Sequence, residues 1–403
     1  MTPEPERLSY WALVRLQFGR NRPAVVGLWC GVGLFALAIG APLLALDQPF
    51  LWNDGQGLRF PLLAALFNRL LFENGVDIFF NLLLVLAPVY ALAGWLLRRS
   101  GRLTLWTASG LIGLHLALTA LVVPQSWFGA PNPFHREAPI VDYRVLETQR
   151  LEAGEPVTAW FPARRIHYRE TDPERSVQAP GPQFLLGTDL EGRDVFVRML
   201  YGTRISLTIG VVAVAIYVWI GIVLGALAGY FGGWVDVAIS RLIEVMICIP
   251  SFFLILTLVA LVQDRSIFHV MVIIGVTSWT GVARLVRAEF LQQRELEYAL
   301  AARALGLPRW RVIFRHILPN ALGPVLVSAT FGVASAIITE SSLAFLGLGD
   351  LSVPSWGETL NAGRLEMKPW LIFAPGLAIF FVVSVFNLVG EGLRDALDPQ
   401  MRT

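Results

Sequence analysis

The side chains able to carry covalent or acid–base chemistry are few and scattered. The histidines, His115, His135, His167, His269 and His316, form no His-Glu-x-x-His pair and sit at no other metal-ligand spacing. Cys30 and Cys248 each lie inside an apolar run, far from one another and from any histidine. Both read as small buried hydrophobes rather than as ligands or a disulfide. A phosphate-cradling loop needs Gly-Lys-Ser/Thr, and the sole lysine, Lys368, follows Met367. Nothing in the chain therefore provides a metal site, a resident cofactor site, a nucleotide-hydrolysing loop, or the nucleophile–base set of an intramembrane hydrolase.

The pattern that does call for explanation is local and polar. Between Glu297 and Asn320, an alanine-rich stretch of strong helix formers, Glu295 to Leu305, leads into Gly306 and Pro308. Gly306 sits where a helix ends with positive φ. Pro308 falls near the first turn of a second short helix, Arg309 to Ile317, with Trp310, Ile313, Phe314 and Ile317 at helical spacing. Pro319 is expected to break that helix. The small side chains of Ala299, Ala301, Ala302 and Ala304 would let a partner backbone approach closely. Such a helix–turn–helix suits docking into a groove on another protein. It equally suits an interfacial helix pair that only anchors neighbouring spans.

The elements that must position this stretch are set by composition. Hydrophobic residues make up 55% and charged residues 15% of the 403 residues, against about 25% charged in soluble domains. Lipid is the solvent such a chain fits. A net charge of +2 gives no field suited to nucleic acid. Eight apolar segments approach the roughly 20 residues of a spanning helix, at about 24–46, 76–97, 103–123, 205–230, 236–262, 267–286, 319–339 and 371–392. The first is too long for the apolar core of a secretory signal and reads as an uncleaved anchor.

Arginine placement orients the spans. Arg7, Arg15, Arg20 and Arg22 precede the first span, Arg98, Arg99 and Arg102 join the second to the third, and Arg284 to Arg315 join the sixth to the seventh. With eight spans all three groups fall on the cytoplasmic side, together with both termini (Arg394 and Arg402 at the C-terminal end). The hydrophilic stretch 124–200 then lies outside. Its tetrads Ala130-Pro131-Asn132-Pro133 and Ala179-Pro180-Gly181-Pro182 argue for an irregular path, and Tyr143 to Tyr168 shows some strand-like alternation. Three regions follow: 1–123 with three spans, 124–200 external, and 201–403 as a five-helix core whose cytoplasmic loop is 287–318.

The pattern Glu297-x-x-x-Ala301-Ala302-Arg303-Ala304-x-Gly306, followed by Ile317-Leu318-Pro319, resembles the cytoplasmic "EAA" loop of ATP-binding-cassette (ABC) importer permeases, in the peptide-permease version. Four further stretches resemble the C-type permeases of the dipeptide/oligopeptide/nickel family. They are Gly187-Thr188-Asp189 through Gly192-Arg193-Asp194 to Arg198, Gly202, Arg204 and Leu207; Gly229-Tyr230-x-Gly232-Gly233-x-x-Asp236; Glu340-Ser341-Ser342 to Gly349 with Pro354-x-Trp356-Gly357; and Asn387 to Pro399. Together they cover about 187–399 of the 403 residues. Asp54-Gly55 and Phe60-Pro61 are similar to the microcin/oligopeptide subgroup.

The resemblance implies an all-α polytopic membrane protein of the bacterial inner membrane, with a type I-like transport core. It implies a non-enzymatic permease subunit that moves peptides or similar small solutes. The implied partners are a second permease, two ATP-binding subunits that hold ATP and magnesium, and an extracytoplasmic solute-binding protein. Residues Glu297, Ala301, Ala302, Arg303, Gly306 and Pro308 would couple to the ATPase. Asp189, Arg193 and Asp194 would dock an external partner, or merely cap a helix entrance with local ion pairs. Glu340 and Trp356 belong to an outer segment that is either a gate or landing site or a re-entrant packing element. The spans at 76–97 and 103–123 are additional to the family pattern; being an even number, they preserve the sidedness of everything after them.

Asp236, Arg241 and Glu244 are expected to form a satisfied network at the membrane edge, or a contact that transmits motion. Asn387 and His115 are expected to make interhelical hydrogen bonds. Trp127, Trp234, Trp356 and Trp370 are expected to anchor span ends.

Overall fold

The computed structural model describes residues 10–55, 57–100, 105–122, 139–262 and 266–398. Arg7, Arg102, Arg402, Trp127, His135, Pro399 and the tetrad Ala130 to Pro133 lie outside these. In chain order the elements are α1 (Tyr10–Arg20), α2 (Arg22–Leu44), β1 (Leu51–Asn53), β2 (Leu58–Arg59), α3 (Pro61–Ala65), α4 (Gly75–Arg99), α5 (Leu105–Val122), α6 (Tyr143–Glu152), β3 (Thr158–Trp160), α7 (Val195–Phe231), α8 (Gly233–Cys248), α9 (Ser251–Leu261), α10 (Ile267–Thr277), α11 (Thr280–Gln293), α12 (Glu297–Ala304), α13 (Arg309–Arg311), α14 (Leu318–Phe345), α15 (Trp356–Glu366) and α16 (Pro369–Leu397).

Each of the eight apolar segments is helical. Among the described residues six helices are long and apolar enough to cross a membrane, seven if a bent pair counts as one span, while α5 is shorter. The bent pair is α8 and α9, which turn by 81°, so the fifth segment is not the continuous helix its hydropathy suggests. Pro250 has no N–H to donate and forces the residue before it out of the helical region, and Ile249 is extended at φ −95°, ψ 122°. Pro319 has the opposite outcome. Val312–Ile317 form a π turn in which the Leu318 N–H donates to the Ile313 carbonyl, and this wider turn carries the chain past the proline. Arg309–Phe345 is therefore one 37-residue helix rather than two.

The core is organised on α7, which packs against α2, α10, α11 and α14. Its Gly221, Gly225 and Gly229 recur every fourth residue along one face and let α11 approach closely. A Cβ at Gly225 would lie 2.5 Å from the Ala283 carbonyl oxygen, and one at Gly229 would lie 2.5 Å from Phe290 Cβ. α14 and α16 pack on each other, and α16 also lies along α2.

At the end of the bundle opposite α12, strands β2-β1-β3 form a small antiparallel sheet with Trp52 opposite Arg59 on one side and Ala159 on the other. The sheet joins residues after α2 to residues well beyond α5, so the hydrophilic layer draws on 45–74 as well as on 139–194. Strand-like alternation misleads over Tyr143–Glu152, which is helix α6. Asp142 caps it by accepting from the Arg144 and Val145 N–H groups, and only Thr158–Trp160 is strand. Cys30 is half-buried and Cys248 exposed on the chain surface, so neither is the buried core residue expected. His115 does bridge helices, its ring nitrogens facing Tyr90 Oη at 2.9 Å and the Phe79 carbonyl at 3.2 Å. Asn387 makes no side-chain hydrogen bond among the described residues.

Candidate functional site

The helix–turn–helix at the end of α11 takes its shape from one glycine. Gly306 has φ +73°. Its N–H donates to the Arg303 carbonyl at 3.0 Å, and the Leu307 N–H donates to the Ala302 carbonyl at 3.3 Å. These bonds satisfy carbonyls that the end of α12 would otherwise leave open. Pro308 then precedes α13 with extended backbone. Ala299 and Ala302 face inward and pack in the core cluster, Ala302 at 4% exposure. The outward set is Glu297, Leu300, Ala301, Arg303, Ala304, Leu305 and Gly306. Leu305 stands at the tip at 81% exposure. Of the six residues expected to couple, Glu297, Ala301, Arg303, Gly306 and Pro308 are exposed, and Ala302 is buried where α12 packs on the core.

α11 runs almost directly into α12 and is fixed on both flanks. Arg287 makes a two-pronged ion pair with Asp236 of α8, the Nη2–Oδ2 arm at 2.8 Å. Arg294 donates to the Gly229 carbonyl at 2.8 Å, meeting the C-terminal end of α7. Arg241 pairs separately with Glu244 on the exposed side of α8. The three charges expected to share one network thus form two, and only Asp236 links helices.

At the other end, the motif residues before α7 converge with α15. Asp194 caps α7, accepting from the Phe196 N–H at 2.8 Å. Burial pushes its carboxyl up, against the opposing pull of Arg164 and those N–H groups. Asp189 accepts from Arg193 Nε at 2.7 Å and lies 3.6 Å from Arg198 Nε. Glu358 of α15 closes the cluster, pairing with Arg198 and, at 3.4 Å, with Arg193. Burial opposes the Arg193 charge, but Asp189 and Glu358 outweigh it and hold the guanidinium above its usual range. Asp189 and Asp194 are buried, so this cluster ties the layer to α15 rather than presenting charge to solvent.

Trp356 is buried, not an interface anchor. Its indole donates to the Met199 carbonyl at 3.0 Å, and its ring fills the space that the absence of a side chain at Gly202 leaves open. Trp370 donates to the Thr188 carbonyl at 3.2 Å. Glu340 is buried on α14 beside Ser341 and Ser355, with no cationic partner among the described residues.

A third constellation was not singled out from sequence. Arg204 on α7 is fully buried. It donates to Asp77 Oδ1 and Asn81 Oδ1 of α4, each at 2.9 Å, and to the Ala38 carbonyl of α2 at 2.7 Å. Tyr168 Oη and Asn74 Nδ2 donate to the other Asp77 oxygen at 3.0 and 2.7 Å. Phe80 and Tyr201 stack their faces on the guanidinium at 5.4 and 5.1 Å. Ionisable residues of opposite sign in apolar segments require each other. Asp77 and Asn81, four apart on one helical face, were the available signal.

Known proteins are similar to this chain over most of its length. Residues 221–403 match the family of binding-protein-dependent transport system inner membrane components, and residues 9–59 match the N-terminal TM domain of oligopeptide transport permease C. The α4–α5 hairpin lies between the two matches. The dipeptide transport system permease protein DppC of Bacillus subtilis is 41% identical over 305 residues, 70% of this chain and 94% of the relative. The DppC of Alkalihalophilus pseudofirmus is 41% identical over 239 residues, 59% of this chain and 78% of the relative. The oligopeptide transport system permease protein OppC of Bacillus subtilis is 38% identical over 241 residues, 59% and 79% respectively. A solved structure, the MetNI methionine ABC transporter in an inward-facing conformation, is similar over 50% of this chain and 96% of that chain, with TM-score 0.43 and 15% identity.

Proposed function

The chain belongs to the inner-membrane permeases of binding-protein-dependent transport systems, and on that premise we propose that it is one of two permease subunits of an ATP-driven peptide importer. The dipeptide and oligopeptide permeases among its relatives support peptides as the solute class. ATP and magnesium belong to two separate ATP-binding subunits, and an extracytoplasmic binding protein delivers the solute. The chain itself moves solute and catalyses no reaction. Both termini and the α12 loop face the cytoplasm, following the arginine bias.

The observation that carries the coupling role is α12. Its inner face, with Ala299 and Ala302, is packed in the core; its outer face is open and sets Ala301, Ala304 and Gly306 among Glu297, Leu300, Arg303 and Leu305; and its end is set by Gly306. An ATPase subunit that grips Glu297, Ala301, Arg303 and the Gly306–Pro308 turn moves α12. α11 passes the motion to α7 across the glycine face, and the core rocks as a packed body. Asp189 and Arg193 act with Arg198 and Glu358 to hold α15, and Asp194 caps α7 beside them, so Glu340 and Trp356 move with α14 and α7 at the outer mouth.

The test is extraction of the tagged chain in mild detergent. A second permease and ATP-binding subunits should co-purify and be lost when Glu297 and Gly306 are changed together. A correctly inserted chain that co-purifies alone in several detergents would overturn the assignment and leave residues 295–317 as an interfacial anchor.

A further inference from the structure

Beyond the Gly306 turn, the start of the 37-residue helix carries an exposed combination that neither water nor hydrocarbon suits. Trp310 and Phe314 are stacked at 5.9 Å and 17°, and stand 58% and 55% exposed. Phe231, at the end of α7, meets the Trp310 ring edge-on at 6.4 Å. Trp234, just past the Gly232–Gly233 turn, is 88% exposed. Alongside lie Arg309, Arg311 and Arg315, all exposed. None of the three has a carboxylate within ion-pair distance among the described residues, whereas Arg287 and Arg294 nearby are paired with Asp236 and Glu295. Arg309 lies over the Phe231 ring at 5.9 Å. The inner side of the same turns, Val312, Ile313 and Ile317, is buried in the core, so the face cannot rotate inward.

We propose that this ledge binds the headgroup phosphate of anionic phospholipids in the leaflet next to the α12 loop. Aromatic rings prefer the headgroup level, where apolar and polar surroundings meet. Arginines there extend their charge to the phosphate while their stems stay in the apolar boundary. The guanidinium fork fits phosphate oxygens in paired hydrogen bonds. The ledge also sits at the N-terminal end of a long helix, whose dipole adds positive potential. Continuity with the span decides between lipid and a protein partner: the stacked pair lies within the first two turns of a helix that runs on into the bilayer. Bound lipid would then hold the angle at which α13 leaves the Gly306 turn. The inference rests only on the chain spanning a membrane, not on its coupling to an ATPase.

The experiment places the full chain, with whatever subunits extract with it, in nanodiscs of defined composition. Bound spin-labelled phosphatidylglycerol is compared with spin-labelled phosphatidylcholine. The wild type should prefer phosphatidylglycerol, and the preference should shrink in high salt. Each of Arg309→Gln, Arg311→Gln and Arg315→Gln should lower it about fivefold. The triple Gln variant should abolish it, the triple Lys variant should retain most of it, and Arg241→Gln should leave it unchanged. Single variants keep the test valid if the triple variant fails to insert. A preference unaltered in every single Gln variant would overturn the proposal. So would Gln variants that keep the lipid preference but lose a co-purifying subunit, which would make the face a protein interface.

Discussion

Gly306 permits a test that separates backbone from contact. Its φ is +73°, and no heavy atom lies within 4 Å of where a Cβ would stand. Within this chain a side chain there meets open space, so the cost of substitution to the turn itself is conformational. A left-handed residue other than glycine costs about 1–2 kcal/mol, and asparagine bears it best because its side chain bonds locally. By RT ln K that is about a five- to thirtyfold loss in the population of the turn for Gly306→Ala, more for the β-branched Gly306→Val, and little for Gly306→Asn. The readout is ATP-driven solute uptake by the reconstituted transporter, alongside ATP hydrolysis and the amount of inserted protein. Uptake should fall in the order Gly, Asn, Ala, Val while insertion stays constant. Normal uptake by a correctly inserted Gly306→Val variant would refute the reasoning. An Asn variant as impaired as Val would also refute it, since the ATPase would then be sensing bulk at that position rather than the angle of the turn.

Other positions give sharper outcomes for stability. Asp77→Ala leaves the Arg204 charge buried and unpaired and should cost about 3–5 kcal/mol of unfolding free energy in bicelles; the double change Asp77→Leu with Arg204→Met should recover most of it, and a cost under about 1 kcal/mol for Asp77→Ala would show that the charge reaches water. Gly225→Leu should separate α7 from α11 and cost about 1–3 kcal/mol by overpacking, whereas Gly323→Ala on α14, where a Cβ meets nothing within 4 Å, should be neutral or stabilising; equal losses of thermal stability would discount the glycine face. His167 is held neutral, its pKa lowered to about 3 by burial and by Arg169. Its folded value lies below the unfolded 6.5, so its contribution is full above pH 6.5 and is lost as pH falls toward 3, by about 1.4 kcal/mol per pH unit. Proteolysis of the 139–194 layer should therefore accelerate on acidification. Burial raises the Asp47 and Asp194 carboxyls and gives the opposite slope, so the effect is read as wild type minus His167→Phe, and an unchanged difference across pH 4–6.5 would refute it.

The sequence made the apolar helices legible because lipid removes most alternatives for a run of that length. It made Gly306 legible because a helix end with positive φ has few other residue choices. What stayed hidden was pairing across distance. Arg204 and Asp77 are 127 residues apart, and Arg198 and Glu358 are 160 apart; nothing local in either segment names the partner. Proline gave two different outcomes from one local rule. At Pro250 no neighbour compensates and the helix bends, while at Pro319 the π turn ahead absorbs the missing bond. Trp356 was misread because tryptophan at a span end usually marks an interface, and only the space over Gly202 shows that the ring goes inward. Over Tyr143–Glu152, the Asp142 cap and a run of Leu, Glu, Gln and Arg outweigh the alternation.

These elements share one helix. α7 has 37 residues, about 55 Å at 1.5 Å per residue, against a hydrocarbon core of about 30 Å. The surplus belongs to its first turns, where Arg198 meets Glu358 and Arg204 meets Asp77, so the outer layer, α15 and the α4–α5 hairpin are all fastened to the same few residues. At its other end Gly225 and Gly229 hold α11, and Arg294 meets its last carbonyls, one step from α12. A displacement of α12 therefore reaches the outer mouth through a single stiff element with ion pairs at one end and close backbone packing at the other. Among the described residues the hairpin packs on α2 and on the outer end of α7, at the opposite end of the bundle from α12. Its contribution is to buried charge and to the outer layer, and loss of Asp77 should impair assembly of that layer before it impairs the response of α12 to an ATPase.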